Sequence, residues 1–202
     1  MFVTLEGPEG SGKSTVVQML AERLRGSGLD VLTTREPGAG EVGQAVRQIL
    51  LHGESIEPLT ELFLFLADRS EHVAKTVRPA LARGQVVLCD RHADSTVVYQ
   101  GYARGLDLAR LRSLNELATG GLKPDLTLLL DLDVKTGIAR TQDKDRLDNE
   151  PIEFHERVRA GFLAEADLEP GRWKVVDASR PLDEVVEECW KALTSHPLFA
   201  TV

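Results

Sequence analysis

Several features that would each have pointed to a definite protein class are scarce or missing in this chain of 202 residues. Cysteine occurs twice, as Cys89 and Cys189, in neither a CxxC pair nor a Cys/His cluster with metal-ligand spacing. That sets aside zinc-ribbon and redox-motif readings and fits a reducing compartment. No run of about 18 apolar residues occurs, so no segment reads as membrane-spanning. The apolar start, Met1 to Leu5, is too short for a secretion signal and runs directly into Glu6 and Gly7. A cytoplasmic location is the expectation. No block of Lys and Arg stands out, and the net charge is −8. Holding a nucleic-acid backbone takes clustered cations, so no polymeric nucleic acid is expected as a partner. Small anions stay open, because a few local amides and cations suffice for them.

What remains is an ordinary globular composition, 42% hydrophobic and 28% charged, of a length that fits one α/β domain over residues 1–202. Short apolar runs alternate with longer stretches at helical spacing. Strands are expected at 2–5, 31–34, 85–90, 126–132 and 173–178. Helices are expected at 13–25, 41–51, 58–82, 94–100, 107–118, 134–141, 151–168 and 181–194. Pro79 is expected to kink or break the long 58–82 pattern, in which Leu62, Phe63 and Leu66 read as core. Near-continuous apolar strands alternating with helices predict a three-layer α/β/α fold, its five-stranded parallel sheet covered on both faces and its crossovers right-handed. The charged stretch QDKDRLDNE (142–150) reads as the mobile element.

One motif carries chemistry. GPEGSGKST, residues 7–15, contains Gly7-x4-Gly12-Lys13-Ser14 between an expected strand and an expected helix. In that setting the segment Gly7, Pro8, Glu9, Gly10, Ser11, Gly12, Lys13, Ser14 and Thr15 cradles the phosphates of ATP. Its amides converge on the positive end of a helix dipole. Lys13 reaches the β- and γ-phosphates, and Ser14 offers a hydroxyl to Mg²⁺. A carboxylate partner for the metal is expected at another strand end, where Asp90 and Asp131 both qualify. Glu9 is an oddity, a negative charge inside an anion-holding loop. The Asn-Lys-x-Asp and Asp-x-x-Gly strings of GTPases are absent, and motor ATPases are usually larger or more basic. A small kinase is left, binding ATP and a second, phosphorylatable molecule.

Further segments resemble the thymidylate kinase family in its bacterial form, over most of the chain. They are the phosphate loop, TREPG (34–38), LFLFLADRSEH (62–72), DRHADSTVVYQG (90–101), KPDLTLLLDL (123–132), DRLD (145–148) and FHERVRAGF (154–162). The resemblance implies a P-loop kinase fold with a short lid at about 140–150. It also implies phosphorylation of dTMP to dTDP by Mg²⁺-ATP for dTTP biosynthesis, and a homodimer.

By the same resemblance, Asp90 sits near Mg²⁺ and Arg91 bridges the acceptor phosphate and the γ-phosphate. Phe65 and Arg69, spaced i, i+4 on one helix face, serve the thymine ring and its carbonyl edge. Thr96 and Gln100 serve the base edge and Tyr99 lies beneath the sugar, while Ser95 lines the pocket or only caps a helix. Glu36 and Pro37 approach the acceptor, Arg47 meets its phosphate, and Glu9 meets its 3′-hydroxyl. The finger cation falls to Arg140, Lys144 or Arg146, with Arg146 first and Arg140 alternatively on the adenine. Two departures stand out: Ala39-Gly40 replaces the usual Gly-Thr, and the lid is less basic. Plainer readings make Arg47 a solvated helix residue, Arg69 a surface partner of Asp68 or Glu71, and the lid a solvated charge run. The rival functions are another small P-loop nucleotide or nucleoside kinase, and a nucleotide-binding module without turnover.

Overall fold

A computed structural model of the chain describes residues 1–141 and 145–201. The five apolar runs become β1 (Phe2–Glu6), β2 (Val31–Arg35), β3 (Val86–Asp90), β4 (Leu126–Asp131) and β5 (Trp173–Asp177). All pair in parallel, in the order β2-β3-β1-β4-β5. The helices are α1 (Lys13–Gly26), α2 (Gly40–His52), α3 (Pro58–His72), α4 (Arg78–Ala82), α5 (Ala93–Thr96), α6 (Leu108–Thr119), α7 (Val134–Arg140), α8 (Ile152–Leu168) and α9 (Leu182–Thr194). Widened π-helical turns occupy Val73–Val77 and Val97–Ala103, and a 3₁₀ turn closes the chain at Pro197–Thr201.

Successive strand residues point to opposite faces, and both faces are covered. Val3, Leu5, Leu88, Leu128 and Leu130 pack against Val16, Leu20 and Leu24 of α1 and Val185, Cys189 and Leu193 of α9. On the other side Phe2, Val87 and Cys89 meet Val77 and Ala80. Leu129 there joins Phe154, Val158 and Phe162 of α8. Each such side chain contributes about 1.5–3 kcal/mol when fully buried, so the central strands tolerate almost no polar residue. Among the exceptions, Thr4, Glu6 and Thr127 are fully buried and hydrogen-bonded. Among the described residues no helix is long and apolar enough to cross a membrane.

Four expectations are corrected. The 58–82 pattern does not break at Pro79; the chain runs on helically, with a π turn at Val73–Val77 just ahead of the proline. The 94–100 helix is a single α turn followed by the π-helical stretch to Ala103. Phe63 is not core: it is 58% exposed, while its neighbours Leu62 and Leu66 are buried. Residues 145–150 are a pinned turn rather than a solvated run. Asp145 accepts from the amides of Leu147 (2.8 Å) and Asp148 (3.0 Å), and Asp148 accepts from the amide of Asp145 (2.9 Å). Leu147 between them is buried in the core.

The parallel register brings the functional loops to one edge. Asp90 pairs with both Leu5 and Arg35, and Glu6 pairs with Leu129. The loops after β1, β2 and β3 therefore leave the carboxyl edge side by side, where open α/β sheets bind ligands. The phosphate loop rests on α7 backbone to backbone. A Cβ on Gly10 would lie 2.1 Å from the Gly137 carbonyl oxygen, and one on Gly137 would lie 2.3 Å from the Glu9 oxygen.

Candidate active site

A cavity of about 310 Å³ opens at this edge. One wall is the phosphate loop, from Glu9 to Thr15; the other comes from the ends of β2 and β3, from α3, and from the helical stretch after Arg91. The Lys13 ammonium donates to the carbonyls of Gly7 (3.0 Å) and Pro8 (2.8 Å) and to the Ser11 hydroxyl (3.2 Å). Burial, with Arg91 adding, pulls its pKa down to about 8, against the pull of Glu9, Asp90 and Glu6. The Ser14 hydroxyl donates to Asp90 at 2.5 Å. Asp131, the other strand-end acid, is held by the Arg159 guanidinium at 2.7 and 2.8 Å.

Arg91 is, among the described residues, the non-glycine residue with positive φ, at 70°. Such a conformation costs energy and is kept where the surroundings impose it. Its guanidinium reaches back to β1 and the phosphate loop, donating to the Gly7 carbonyl (3.1 Å) and to Glu9 (2.7 Å). Glu9 also accepts from the Tyr99 hydroxyl at 2.6 Å. Burial opposes its ionisation, but Arg91, Lys13 and Tyr99 together outweigh burial and lower its pKa to about 2. Arg91 in turn lies over the Tyr99 ring, 5.1 Å from its centre.

The far wall is cross-braced. Phe65 lines the cavity half-buried. Arg69, 1% exposed, is no surface partner of Asp68 or Glu71. It donates to Glu36 (2.9 Å), Thr96 (2.8 Å), Asn115 (2.7 Å) and the His92 carbonyl (3.0 Å). Glu36 also meets His72 Nδ1 at 2.7 Å and His92 Nδ1 at 2.9 Å. Both its oxygens carry these bonds, and Glu36 and Arg69 alike line the cavity. Burial works against Glu36 ionising, yet His92, Arg69 and His72 hold its pKa well below the usual carboxylate range. Arg47 donates to the Pro37 carbonyl at 2.9 Å. Gly38 makes room for it: its φ is +124°, and a Cβ there would lie 2.9 Å from Arg47 Cδ. The Ala39-Gly40 departure is accommodated, with Ala39 as the cap and Gly40 as the first residue of α2.

The lid assignments change. Arg146 is committed elsewhere, donating to the Leu50 carbonyl (2.8 Å) and to the fully buried Glu61 (2.5 Å), and it does not line the cavity. A guanidinium bound in this way braces the turn and is not poised over a phosphate. Arg140 donates to the Ala178 carbonyl at 3.1 Å and also lies outside the cavity lining. Lys144 lies outside the described residues.

Among the described residues that escaped sequence reasoning, three bear most on the site. Arg35 lines the cavity beside Asp90, and the carboxyl end of β2 was the signal for it. Glu61 precedes Phe65 by four and Arg69 by eight residues, which places all three on one helix face. Glu6, the acid at the end of an otherwise apolar central strand, accepts from the His92 amide (2.8 Å) and the Ser95 hydroxyl (2.6 Å). Burial, with Asp94 adding, pushes its pKa up to about 8.

This arrangement has relatives. A family model described as thymidylate kinase matches residues 5–189. A thymidylate kinase of Synechococcus sp. (strain JA-2-3B'a(2-13)) is 52% identical over 201 residues, spanning 100% of this chain and 98% of the relative. The chain belongs to the thymidylate kinase family. Another member, from Thermomicrobium roseum, is 51% identical over 96% of this chain and 94% of its own length. The crystal structure of thymidylate kinase from Ehrlichia chaffeensis superposes with a TM-score of 0.79 at 36% identity, covering 96% of this chain and 98% of that one.

In this thymidylate kinase family member Glu6 gives a test. Between about pH 4.5 and 8 the folded chain keeps a proton on Glu6 that the unfolded chain has released, so stability falls as pH rises through that window. Glu9, with its pKa lowered to about 2, has given its full contribution by the lower end. Asp68 and Asp148, both raised to about 6, act mainly in the lower half. Lys13, pulled down to about 8, works the other way near the top of the window, because the unfolded chain still holds that proton; melting temperature is therefore expected to fall between about pH 6.5 and 7.5, and the fall should be shallower in Glu6→Gln. An equal slope in the two proteins would contradict the assignment.

Proposed function

We propose that the chain transfers the γ-phosphoryl group of ATP to dTMP, forming dTDP. The observation that carries this reading is one cavity with a triphosphate-binding loop on one wall, Phe65 flanked by Arg69, Thr96 and Gln100 on the other, and Arg91 between them. A single-substrate nucleotide binder has no use for the second wall.

The chemistry asked of the protein is positioning and charge neutralisation. The loop amides and Lys13 hold the donor phosphates, and the ammonium exchanges its bonds to Gly7, Pro8 and Ser11 for phosphate oxygens. Arg47, Arg35 and Arg91 hold the dTMP phosphate, one of whose oxygens attacks the γ-phosphorus in line. No covalent enzyme intermediate is needed. Arg91 lies within reach of both phosphates and offsets the charge that develops between them. Ser14 and Asp90, in contact through oxygen atoms, are the hard donors Mg²⁺ takes. Mg²⁺ characteristically uses one or two carboxylates plus substrate phosphates, so the donor set fits. When bound, the ion neutralises the β- and γ-oxygens. With Arg146 spent on Glu61, the finger cation falls to Arg140 or Lys144; such a cation contributes a factor of roughly 10³ to 10⁵ in rate.

Glu9 serves the acceptor. Its charge is compensated by Arg91 and Tyr99, so it repels the donor phosphates little. It remains an acceptor for the sugar 3′-hydroxyl in a charge-assisted hydrogen bond, with the Tyr99 ring beneath the sugar.

A homodimer is part of the same reading. Leu59 and Phe63 of α3 are 57% and 58% exposed, Leu117 of α6 is 79% exposed, and Val42 and Ile49 of α2 are exposed as well. These helices pack on one another, and apolar patches of this kind on a soluble protein mark interaction surfaces. Sedimentation is expected to show a dimer that Phe63→Glu shifts to monomer; a monomeric wild type would contradict this.

A coupled assay across the nucleoside monophosphates tests the reaction. Strong preference for dTMP is expected, and Glu9→Ala should lower kcat/KM for dTMP at least about tenfold while KM for ATP stays nearly unchanged. No preference for dTMP would refute the substrate. ATP binding with no dTDP formed would favour a module without turnover.

A further inference from the structure

Glu61 touches the cavity only through another residue. It lies fully buried in the first turn of α3. Its Oε1 accepts from Gln100 Nε2 (2.8 Å) and Arg104 Nε (2.6 Å), and its Oε2 from Arg104 Nη2 (3.0 Å) and Arg146 Nη2 (2.5 Å). Burial opposes its charge, but the hydrogen bonds from Arg104, Arg146 and Gln100 prevail and hold its pKa below the usual value. An ionised carboxylate has no proton to give. Only the NH₂ end of the Gln100 amide can face it, whichever way that amide would otherwise turn, so the oxygen is the end left for the cavity.

A matching constraint operates two turns further along α3. Arg69 has only donors to offer, so Thr96 Oγ1 accepts from it at 2.8 Å and the Thr96 proton is left to donate elsewhere. Two rungs therefore join α3 to the opposite helical stretch, Arg69–Thr96 and Glu61–Gln100, with Phe65 between them in sequence. Each rung sets the polarity of the side chain it holds. The cavity is offered a donor at Thr96 and an acceptor at Gln100.

We infer that Glu61 is a positioning residue for base selection: by fixing the Gln100 amide as an acceptor, it makes the cavity favour thymine and refuse cytosine. Thymine presents an acceptor at O4 and a donor at N3–H, which complements Thr96 and Gln100. Cytosine presents a donor at N4 and an unprotonated acceptor at N3, the reverse at both positions. A buried polar group left facing its own kind is costly, which is why sites built on hydrogen bonds discriminate strongly. This inference rests on the acceptor being dTMP, and it adds the residue that sets the selection without contacting the base.

The test is Glu61→Gln, assayed with dTMP and with dCMP. The new amide can donate to Gln100 and reverse it. kcat/KM for dTMP is expected to fall about tenfold to a hundredfold, mostly through KM, while the dTMP-over-dCMP preference narrows at least about tenfold. Arg104→Met removes two bonds to the same carboxylate but keeps the Gln100 rung, and should leave the preference unchanged. An equal loss on both substrates in Glu61→Gln, or a preference moved as far by Arg104→Met, would make Glu61 a plain brace and overturn the inference. Should Glu61→Gln fail to fold by circular dichroism, Gln100→Met gives the same decision: the preference should narrow by at least about tenfold, and an unmoved preference overturns the role. A wild type that makes no dTDP overturns the assigned reaction along with it. A wild type that makes dTDP with an unmoved preference in the variants counts against Glu61 alone.

Discussion

The Arg91–Glu9 ion pair is the contact on which the rest of the site depends. It joins the apex of the phosphate loop, built after β1, to the turn after β3, and both partners are largely shielded from water. In that setting the attraction is screened far less than at a surface, and removing one partner would leave the other charge uncompensated. The left-handed backbone of Arg91 makes sense in this light: the strain is kept because it directs the guanidinium back across β1. The pair also resolves the oddity of a carboxylate inside an anion-holding loop. Glu9 is matched in place by a cation and a phenol, so the loop stays receptive to phosphate, and the proposed role of the carboxylate is to meet the second substrate.

Behind this pair stands a layer of buried carboxylates, each holding one part of the cavity wall. Glu6 fixes the backbone after Arg91 and the Ser95 hydroxyl. Glu36 fixes Arg69 and two histidines. Glu61 gathers Arg104, Arg146 and Gln100. Burying a charge is costly unless every lone pair is met, and at Glu36 and Glu61 the charged partners are sufficient to lower the pKa. Glu6 lacks a directly bonded cation, and there burial wins. The same logic accounts for the place of Arg146, whose guanidinium is bonded to Glu61 outside the cavity lining and helps keep that carboxylate ionised inside the protein.

Sequence made the frame legible because its signals are local. The strands lie within about two residues of expectation, since a central parallel strand must be apolar on both faces. The phosphate loop follows from a glycine spacing with one backbone solution. The cavity residues from Phe65 to Gln100 came from family resemblance, and the fold brings them to one cavity. What escaped depends on distance along the chain. Glu61 and Arg146 are 85 residues apart, and Glu6 and Ser95 are 89 apart, so no periodicity reveals that they meet. Phe63 looked like core because helical spacing around Leu62 and Leu66 does not say where the apolar face stops. The DRLD stretch looked like a solvated charge run because its acids cap their own turn and its arginine finds a partner on another helix.

The proposed transfer requires a single cavity that holds both nucleotides with Glu9 turned to the acceptor. A crystal structure with dTMP and a non-hydrolysable ATP analogue tests it most directly. The thymine ring should lie under Phe65 between Thr96 and Gln100, the 3′-hydroxyl should lie on Glu9, and the triphosphate should lie along Gly7 to Thr15. A thymine ring outside the Phe65 wall, or Glu9 turned onto the metal and away from the sugar, would contradict it.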